Sequence, residues 1–564
     1  MEEEPEILAT QTDQSESSMR SSSRSFLSYE HSQMFASTIS RSVRRISTVE
    51  LNLRRISSFQ LNEGCLDPAV VQLLSFAECD HLLRASELST VMRRGAAIFS
   101  SSAGSAATYE ESAQVEAIAA FISHNWSVHR AMKFFSLALH FNFHRAFIIA
   151  LTSMAIITAV TLTGFLPLVE IRSDGKVATY GVWNTLLLGP IFLIGLCFSH
   201  DLPLLLGRRS PRVFLDKTCI HQTDRDLQQQ GILKLGAFIH RSSRMVVVFT
   251  DVYLERLWTV YEIGCFLSLR PVTDLFVIPP CLALCIFAYV AICYLGMLLD
   301  LLAMWTGSRF VLGAGIVWLA FVIGAGVAWL SRHLARKRNA ACQRIENFNV
   351  VECACFDEDD RPLVYGNIAK LMRAVDAVGM DAPVERSLEA FNVLVRTSLR
   401  SHLVPAIRLD YSHVVAIWIV CFTSPLVDEA LGECFIPEGL PFKSLHRAQI
   451  CFVLNGMAIA FGFAPLILLF AGQWWGSCLH LSGCLEIGFM GVGILLFFGA
   501  FAVVEKITWP LMEAAYDQDA ALAGLLVVLC LASFIAVAAY SWQRRGLRNR
   551  EEKREETIQP CVNV

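Results

Sequence analysis

The sequence predicts an α-helical multipass membrane protein of about eight transmembrane helices, joined to a cytosolic α/β module built on a parallel sheet. Three observations carry that expectation. First, 54% of the 564 residues are hydrophobic and 17% charged, with a mean hydropathy of +0.48. Soluble domains sit nearer 45–50% apolar and about 25% charged, and the excess here falls in blocks of roughly twenty apolar residues, long enough to cross hydrocarbon. Second, Pro211–Pro271 reads as strand, loop, helix, strand, helix, the rhythm of a parallel sheet whose strands are buried on both faces. Third, Arg and Lys cluster after the second, fourth and eighth apolar blocks, which is one consistent orientation under the positive-inside rule.

Taken in order, residues 1–65 form a Ser/Arg-rich tail expected to be disordered. It is acidic, then basic, with no apolar core, so no cleavable secretory signal is expected. Arg44-Arg-Ile-Ser47 and Arg54-Arg-Ile-Ser57 repeat within it. Both resemble sites of a basophilic protein kinase, making Ser47 and Ser57 phosphorylation candidates; each phosphate would add about −1.5 to −2 charge. The same arm is also suited to an anionic membrane surface. Residues 66–117 read as short helices and a Ser/Ala/Gly linker, followed by a strand at Ala119–Ser123 and a helix at Ala131–Phe141.

Residues 146–203 read as a membrane hairpin, with spans Ala146–Pro167 and Val182–Pro203 joined by a polar turn, Glu170–Tyr180. The chain returns at Arg208, Arg209 and Arg212. In 207–279, Arg212–Asp216 is a strand ending in a carboxylate, Lys217–Asp226 a polar loop, and Ile232, Leu235 and Ile239 share a helix face. Met245–Phe249 is a buried strand, Thr250-Asp251 a turn and helix cap, and Leu254–Leu267 a helix. Trp258 and Glu262, four residues apart, share one face of it. A second hairpin, 280–330, has spans Pro280–Met304 and Phe310–Leu330 and emerges at Arg332, Arg336, Lys337 and Arg338. Segment 340–405 is read as a last strand, Phe348–Phe356, then helices Pro362–Val378 and Val384–Leu399; an independent helical linker is the alternative. Four further spans occupy 413–541 (413–430, 448–471, 484–504 and 521–540), and 542–564 is a basic tail. Both termini are expected in the cytosol.

A family resemblance attaches to particular residues. Trp258 four before Glu262, after a strand like Val246–Phe249, resembles the Trp-Cys-x-x-Glu motif of TIR (Toll/interleukin-1 receptor) domains. Ala120-Phe-Ile-Ser-His124-Asn-Trp126 resembles the first strand of that family, Val213–Asp216 the second, and Asp274–Pro279 the fourth. Thr259 stands where the family usually has Cys, and about ninety residues separate the first two strands, far more than one helix needs. A membrane hairpin inserted at a loop accounts for that gap, since a longer loop adds little closure entropy. The expectation is one TIR-like, flavodoxin-like sheet assembled from 118–145, 207–279 and 340–405.

The resemblance implies hydrolysis of NAD at its nicotinamide–ribose bond, with NAD as substrate and no prosthetic group. Glu262 matches the catalytic position; Trp258, Ser123, His124 and Asp216 are the residues the resemblance places at the NAD pocket. It also implies self-association through Lys217–Asp226, or recruitment of other TIR-like modules without any chemistry. A channel or transporter with a regulatory module is the alternative, but the spans are nearly free of ionisable residues: Asp300, Asp428, Glu429, Glu486 and Glu505 fall near their ends. Phosphate-loop, paired-His zinc and Gly-x-Ser-x-Gly motifs are absent from the sequence. Nucleic acid is not an expected partner, because membrane topology already explains the basic clusters.

Overall fold

The computed structural model describes residues 68–406 apart from 78, 174–175, 307–308 and 376, together with 413, 416–417, 419–433 and 491–492. Ser47, Ser57 and the expected spans within 448–540 lie outside the described residues, except for 491–492. A six-stranded mixed sheet forms the centre of the molecule. Its strands are β1 (Arg84–Glu87), β2 (Ser112–Gln114), β3 (Ala120–Ser123), β6 (Arg212–Phe214), β7 (Met245–Val248) and β8 (Leu275–Ile278); β4 (Val169–Ser173) and β5 (Lys176–Tyr180) pair separately as a hairpin. The order across the sheet is β2-β1-β6-β3-β7-β8.

The four strands β6, β3, β7 and β8 are parallel, with Ala120 opposite Val213, Phe121 opposite Met245, and Val247 opposite Val277. They are short apolar runs because both faces are covered. Phe121 stacks on Phe214 at 4.4 Å, Phe214 meets Phe238 at 4.5 Å, and Phe238 meets Phe76 at 4.9 Å. All four rings are fully buried, each worth about 1.5–3 kcal/mol relative to exposure. This aromatic ladder joins 68–76 to segments on both sides of the first apolar hairpin.

Residues 66–117, read as short helices and a linker, hold short helices and also two strands of the sheet. β1 and β2 add antiparallel strands to the β6 edge, with Ser86 opposite Val213, and Arg212 paired to Glu87 at 3.1 Å. Their polar sequences carry no strand signal; the free edge of β6 supplies the hydrogen bonds. Phe348–Phe356, by contrast, is not a strand of the sheet. Val350–Glu352 is a 3-10 turn capped by Asn349, and only Ala354 bridges, to Arg256. Val351 is therefore not in line with Phe121, Val213 and Val247.

The helices are α1 (Pro68–Leu74), α2 (Leu88–Ala96), α3 (Arg130–Leu162), α4 (Trp183–Phe198), α5 (Asp216–Cys219), α6 (Arg225–Leu233), α7 (Leu235–Arg241), α8 (Leu257–Leu269), α9 (Pro280–Thr306), α10 (Arg309–Glu346), α11 (Arg361–Ala374), α12 (Val384–Ala406) and α13 (Ser424–Glu433), with a few shorter turns between them. Among the described residues, three stretches are long and apolar enough to cross a membrane: Arg130–Leu162, Trp183–Leu205 and Pro280–Ala303. The expected helix Ala131–Phe141 and the first expected span are one continuous helix, α3. Neither Gly nor Pro interrupts its 33 residues, so it extends about 50 Å. Small residues let α3 and α4 approach: a Cβ on Gly195 would lie 3.1 Å from Ala146. Tyr294 of α9 donates to the Leu186 carbonyl at 2.8 Å.

At the far end of this bundle Asp428 is buried. Its side-chain oxygens accept from the Asn184 N–H (3.2 Å), the Asn184 amide (2.9 Å) and the Thr185 N–H (2.7 Å). α13 thus supplies the N-terminal cap that α4 lacks in its own sequence. On the other side of the sheet, α11 and α12 pack against α8, where Gly264 leaves room for the buried ring of Phe391.

Candidate functional site

The site residues come from the carboxyl ends of the parallel strands, the position where open α/β sheets bind ligands. β3 ends in Ser123, β6 leads into Asp216, and the turn after β7 leads into α8, which carries Glu262. Ser123 Oγ lies 2.5 Å from Glu262 Oε2 and donates to it. The same hydroxyl lies 2.5 Å from the phenol oxygen of Tyr253. Tyr253 is fully buried and sits in a 3-10 turn, Tyr253–Glu255. Tyr253, Ser123 and Glu262 form one hydrogen-bonded chain from three elements.

Thr259 explains how that chain is held. Its buried hydroxyl lies 2.5 Å from the Tyr253 carbonyl and 3.0 Å from that of Arg256. The first turn of α8 is thereby tied back onto the loop that supplies Tyr253. The expected Thr250-Asp251 cap is absent: α8 begins at Leu257 with no side-chain cap, and Asp251 instead pairs with Lys337.

Glu262 retains partial exposure, yet its carboxyl is pushed up to about 8. Burial is the main cause, opposed by the Ser123 hydrogen bond and reinforced by the negative charge of Asp216. At neutral pH most of it is therefore protonated. Tyr253 is held well above its ordinary value by burial and by Glu262, so it stays a neutral phenol.

Asp216 accepts from the Trp126 indole N–H at 2.8 Å and from the Lys217 backbone N–H at 2.7 Å. Burial pushes its carboxyl upward against those bonds and the nearby lysines. Lys217 is buried and donates to the carbonyls of Ile98 (3.1 Å) and Ser101 (2.8 Å), fastening the 97–101 turn to the site. Phe99 from that turn meets His124 at 4.9 Å, and Trp126 meets His124 at 4.6 Å. His124 is held neutral, well below its usual value, by burial and by Lys133. Lys133 itself is fully buried, with no hydrogen-bond partner for its ammonium; it lies 4.7 Å from the Trp126 ring and 5.1 Å from Phe99. Two ring faces and the Asp216 charge stand in for water around it.

Of the residues singled out in the sequence, Ser123 and Glu262 are in direct contact and Asp216 is close enough to act on Glu262 electrostatically. His124 lies in the adjoining aromatic cluster. Trp258 is half-buried beside Tyr261, near Asp360 of the third segment. In the loop after β6, His221 is half-buried, its ring 4.8 Å from that of Tyr109. Sequence reasoning missed Tyr253, Lys133 and Phe99; no spacing marks them, and only the packing of distant segments brings them in. Among the described residues no group of His, Cys, Asp and Glu is arranged to hold a metal. No family model matches the chain, no curated protein matches it, and no solved structure matches it.

Proposed function

We propose that this chain is a membrane-anchored TIR-like signalling protein that acts by self-association or by recruiting like modules, and that its Ser123–Glu262 cleft cleaves NAD. The observation that carries the reading is the hydrogen bond between Ser123, before the first hairpin, and Glu262, after it. Further support comes from the parallel strands, which run second, first, third, fourth in chain order, as in flavodoxin-like sheets. The orientation with both termini in the cytosol belongs to the same proposal, on the strength of the basic residues that follow the apolar stretches.

In the reaction, the C–N bond between ribose and nicotinamide breaks and its electron pair leaves on the nicotinamide nitrogen. The ribosyl cation that remains is stabilised by a fixed carboxylate, Glu262, as in glycoside cleavage. Water then adds to the cation and loses a proton, giving ADP-ribose. The cationic nicotinamide ring of the substrate favours ionised Glu262, which is otherwise protonated at neutral pH. The test is nicotinamide release by full-length protein in lipid, compared with Glu262→Ala. Release by wild type alone supports the enzyme; equal release by both removes it and leaves recruitment without chemistry.

A further inference from the structure

α10 leaves the second apolar hairpin and continues as one helix to Glu346. Its 38 residues extend about 57 Å, nearly twice the roughly 30 Å of hydrocarbon. The part beyond the expected span carries Lys337 and Arg344, two turns apart and so on one face. Lys337 pairs with Asp251, and Arg344 pairs with Glu255 at 2.8 Å. Both partners lie in the loop between β7 and α8, on either side of Tyr253.

The chain that follows α10 grips the same loop by its backbone. Ala354 N–H donates to the Glu255 carbonyl at 2.8 Å, and Leu257 N–H donates to the Ala354 carbonyl at 3.0 Å. Cys353 Sγ reaches the Leu254 carbonyl at 3.5 Å. These contacts all fall on the stretch Asp251–Glu255 or on the two residues after it, while α12 holds the other side of the segment through Arg400 on Glu346, Arg396 on the Phe348 carbonyl (2.8 Å) and Asn392 on the Val350 N–H (2.8 Å). That stretch presents Tyr253 to Ser123, and through Ser123 to Glu262. The two ion pairs are half-exposed, so each is weak alone and readily exchanged. Such contacts suit a joint that takes up two positions more than one fixed for stability.

We propose that α10 couples the bilayer to the cleft: its position in the membrane, transmitted through Lys337 and Arg344, sets whether the Asp251–Glu255 loop holds Tyr253 on Ser123. The regulation, though not the mechanical coupling, rests on the cleft being the active site. A change in bilayer thickness tilts or shifts a membrane helix whose apolar length no longer matches. Two ion pairs at one end of the loop's bracket convert that shift into a change at Tyr253, without any contact between lipid and the site.

The experiment uses full-length protein in vesicles of phosphatidylcholine with short or long acyl chains. Hydrogen exchange is read on the peptides spanning Thr250–Leu257, and nicotinamide release is read in parallel. Exchange of these amides is expected to differ about fivefold between the two lipids, and Lys337→Ala with Arg344→Ala is expected to abolish the difference. Asp251→Lys with Lys337→Asp, which restores opposite charges, is expected to restore it where either single reversal does not. Loop exchange independent of lipid, or a dependence unchanged in the double Ala variant, overturns the coupling. A lipid-dependent loop with nicotinamide release that ignores lipid, yet is lost in Glu262→Ala, overturns the regulation and leaves the active site standing. A lipid-dependent loop without any nicotinamide release supports the coupling and removes the enzyme.

Discussion

Ser123 donates its hydroxyl to Glu262 at 2.5 Å, although 139 residues and a hairpin of two membrane-length helices separate them in the chain. The carboxyl end of one strand meets the second turn of a helix that follows another strand. Their contact places a protonatable carboxylate, a hydroxyl and a buried phenol in one line.

The raised Glu262 pKa makes the fold sensitive to pH. Its folded value, about 8, lies above the ordinary 4.5, so between those values the folded state binds the more protons. Stability from this group is fully present below about 4.5 and is lost as pH rises towards 8. Glu262→Gln removes the titration. The melting temperature of wild type relative to Glu262→Gln is expected to fall steadily from pH 5 to 8 and then level off. A pH-independent difference contradicts the assignment.

Tyr253 and Thr259 are expected to behave differently although the Thr259 hydroxyl is bound to the Tyr253 carbonyl. Thr259→Val strips a buried hydroxyl from two carbonyls, costing about 1–3 kcal/mol in denaturant unfolding. Tyr253→Phe removes one partner of Ser123 but keeps the packed ring, so a smaller loss of about 0.5–1.5 kcal/mol is expected. Thr259→Ser, which keeps the hydroxyl, should recover most of the first loss.

Lys133 is a buried cation without a hydrogen-bonding partner. Replacing such a group by an apolar residue of similar length is often neutral or stabilising. Lys133→Met is accordingly expected to leave the melting temperature unchanged or higher. Lys133→Glu, which sets a third carboxylate beside Asp216, is expected to lower it by several degrees. A marked loss for the Met variant would show that the ammonium has a stabilising partner.

The apolar bundle has its own anchor. Asp428→Ala frees the Asn184 and Thr185 N–H groups at the start of α4. The expected cost is about 0.5–2 kcal/mol, read as earlier unfolding in detergent. Asp428→Asn, which still accepts one bond, should lose less.

Much of the sheet was legible in the sequence. Val246–Val248, Phe121–Ile122, Val213–Phe214 and Phe276–Ile278 are apolar runs, and each lies in a parallel strand. The errors have physical causes. Arg84–Glu87 became a strand because β6 had a free edge, which local composition does not record. Phe348–Phe356 alternates buried and exposed positions like a strand, with Val350 buried and Val351 out, but Asn349 turns it into a 3-10 cap. The helix Ala131–Phe141 and the span from Ala146 were read as separate elements, yet the polar side chains of His144 and Arg145 between them do not interrupt helical backbone, and α3 runs through them. At the site, Glu262, Ser123 and Asp216 were singled out by the resemblance, and the structure brings them near one another. Tyr253 was not, since its role arises from the turn that precedes α8.

The pH dependence of nicotinamide release tests the central claim most directly. With Glu262 as the working carboxylate, kcat/KM for NAD should rise with pH and level off above an inflection near 8. Ser123→Ala removes the bond that lowers the Glu262 pKa, so its inflection should move higher. Release that persists in Glu262→Ala, or an inflection that stays in place when Ser123 is removed, would contradict the account.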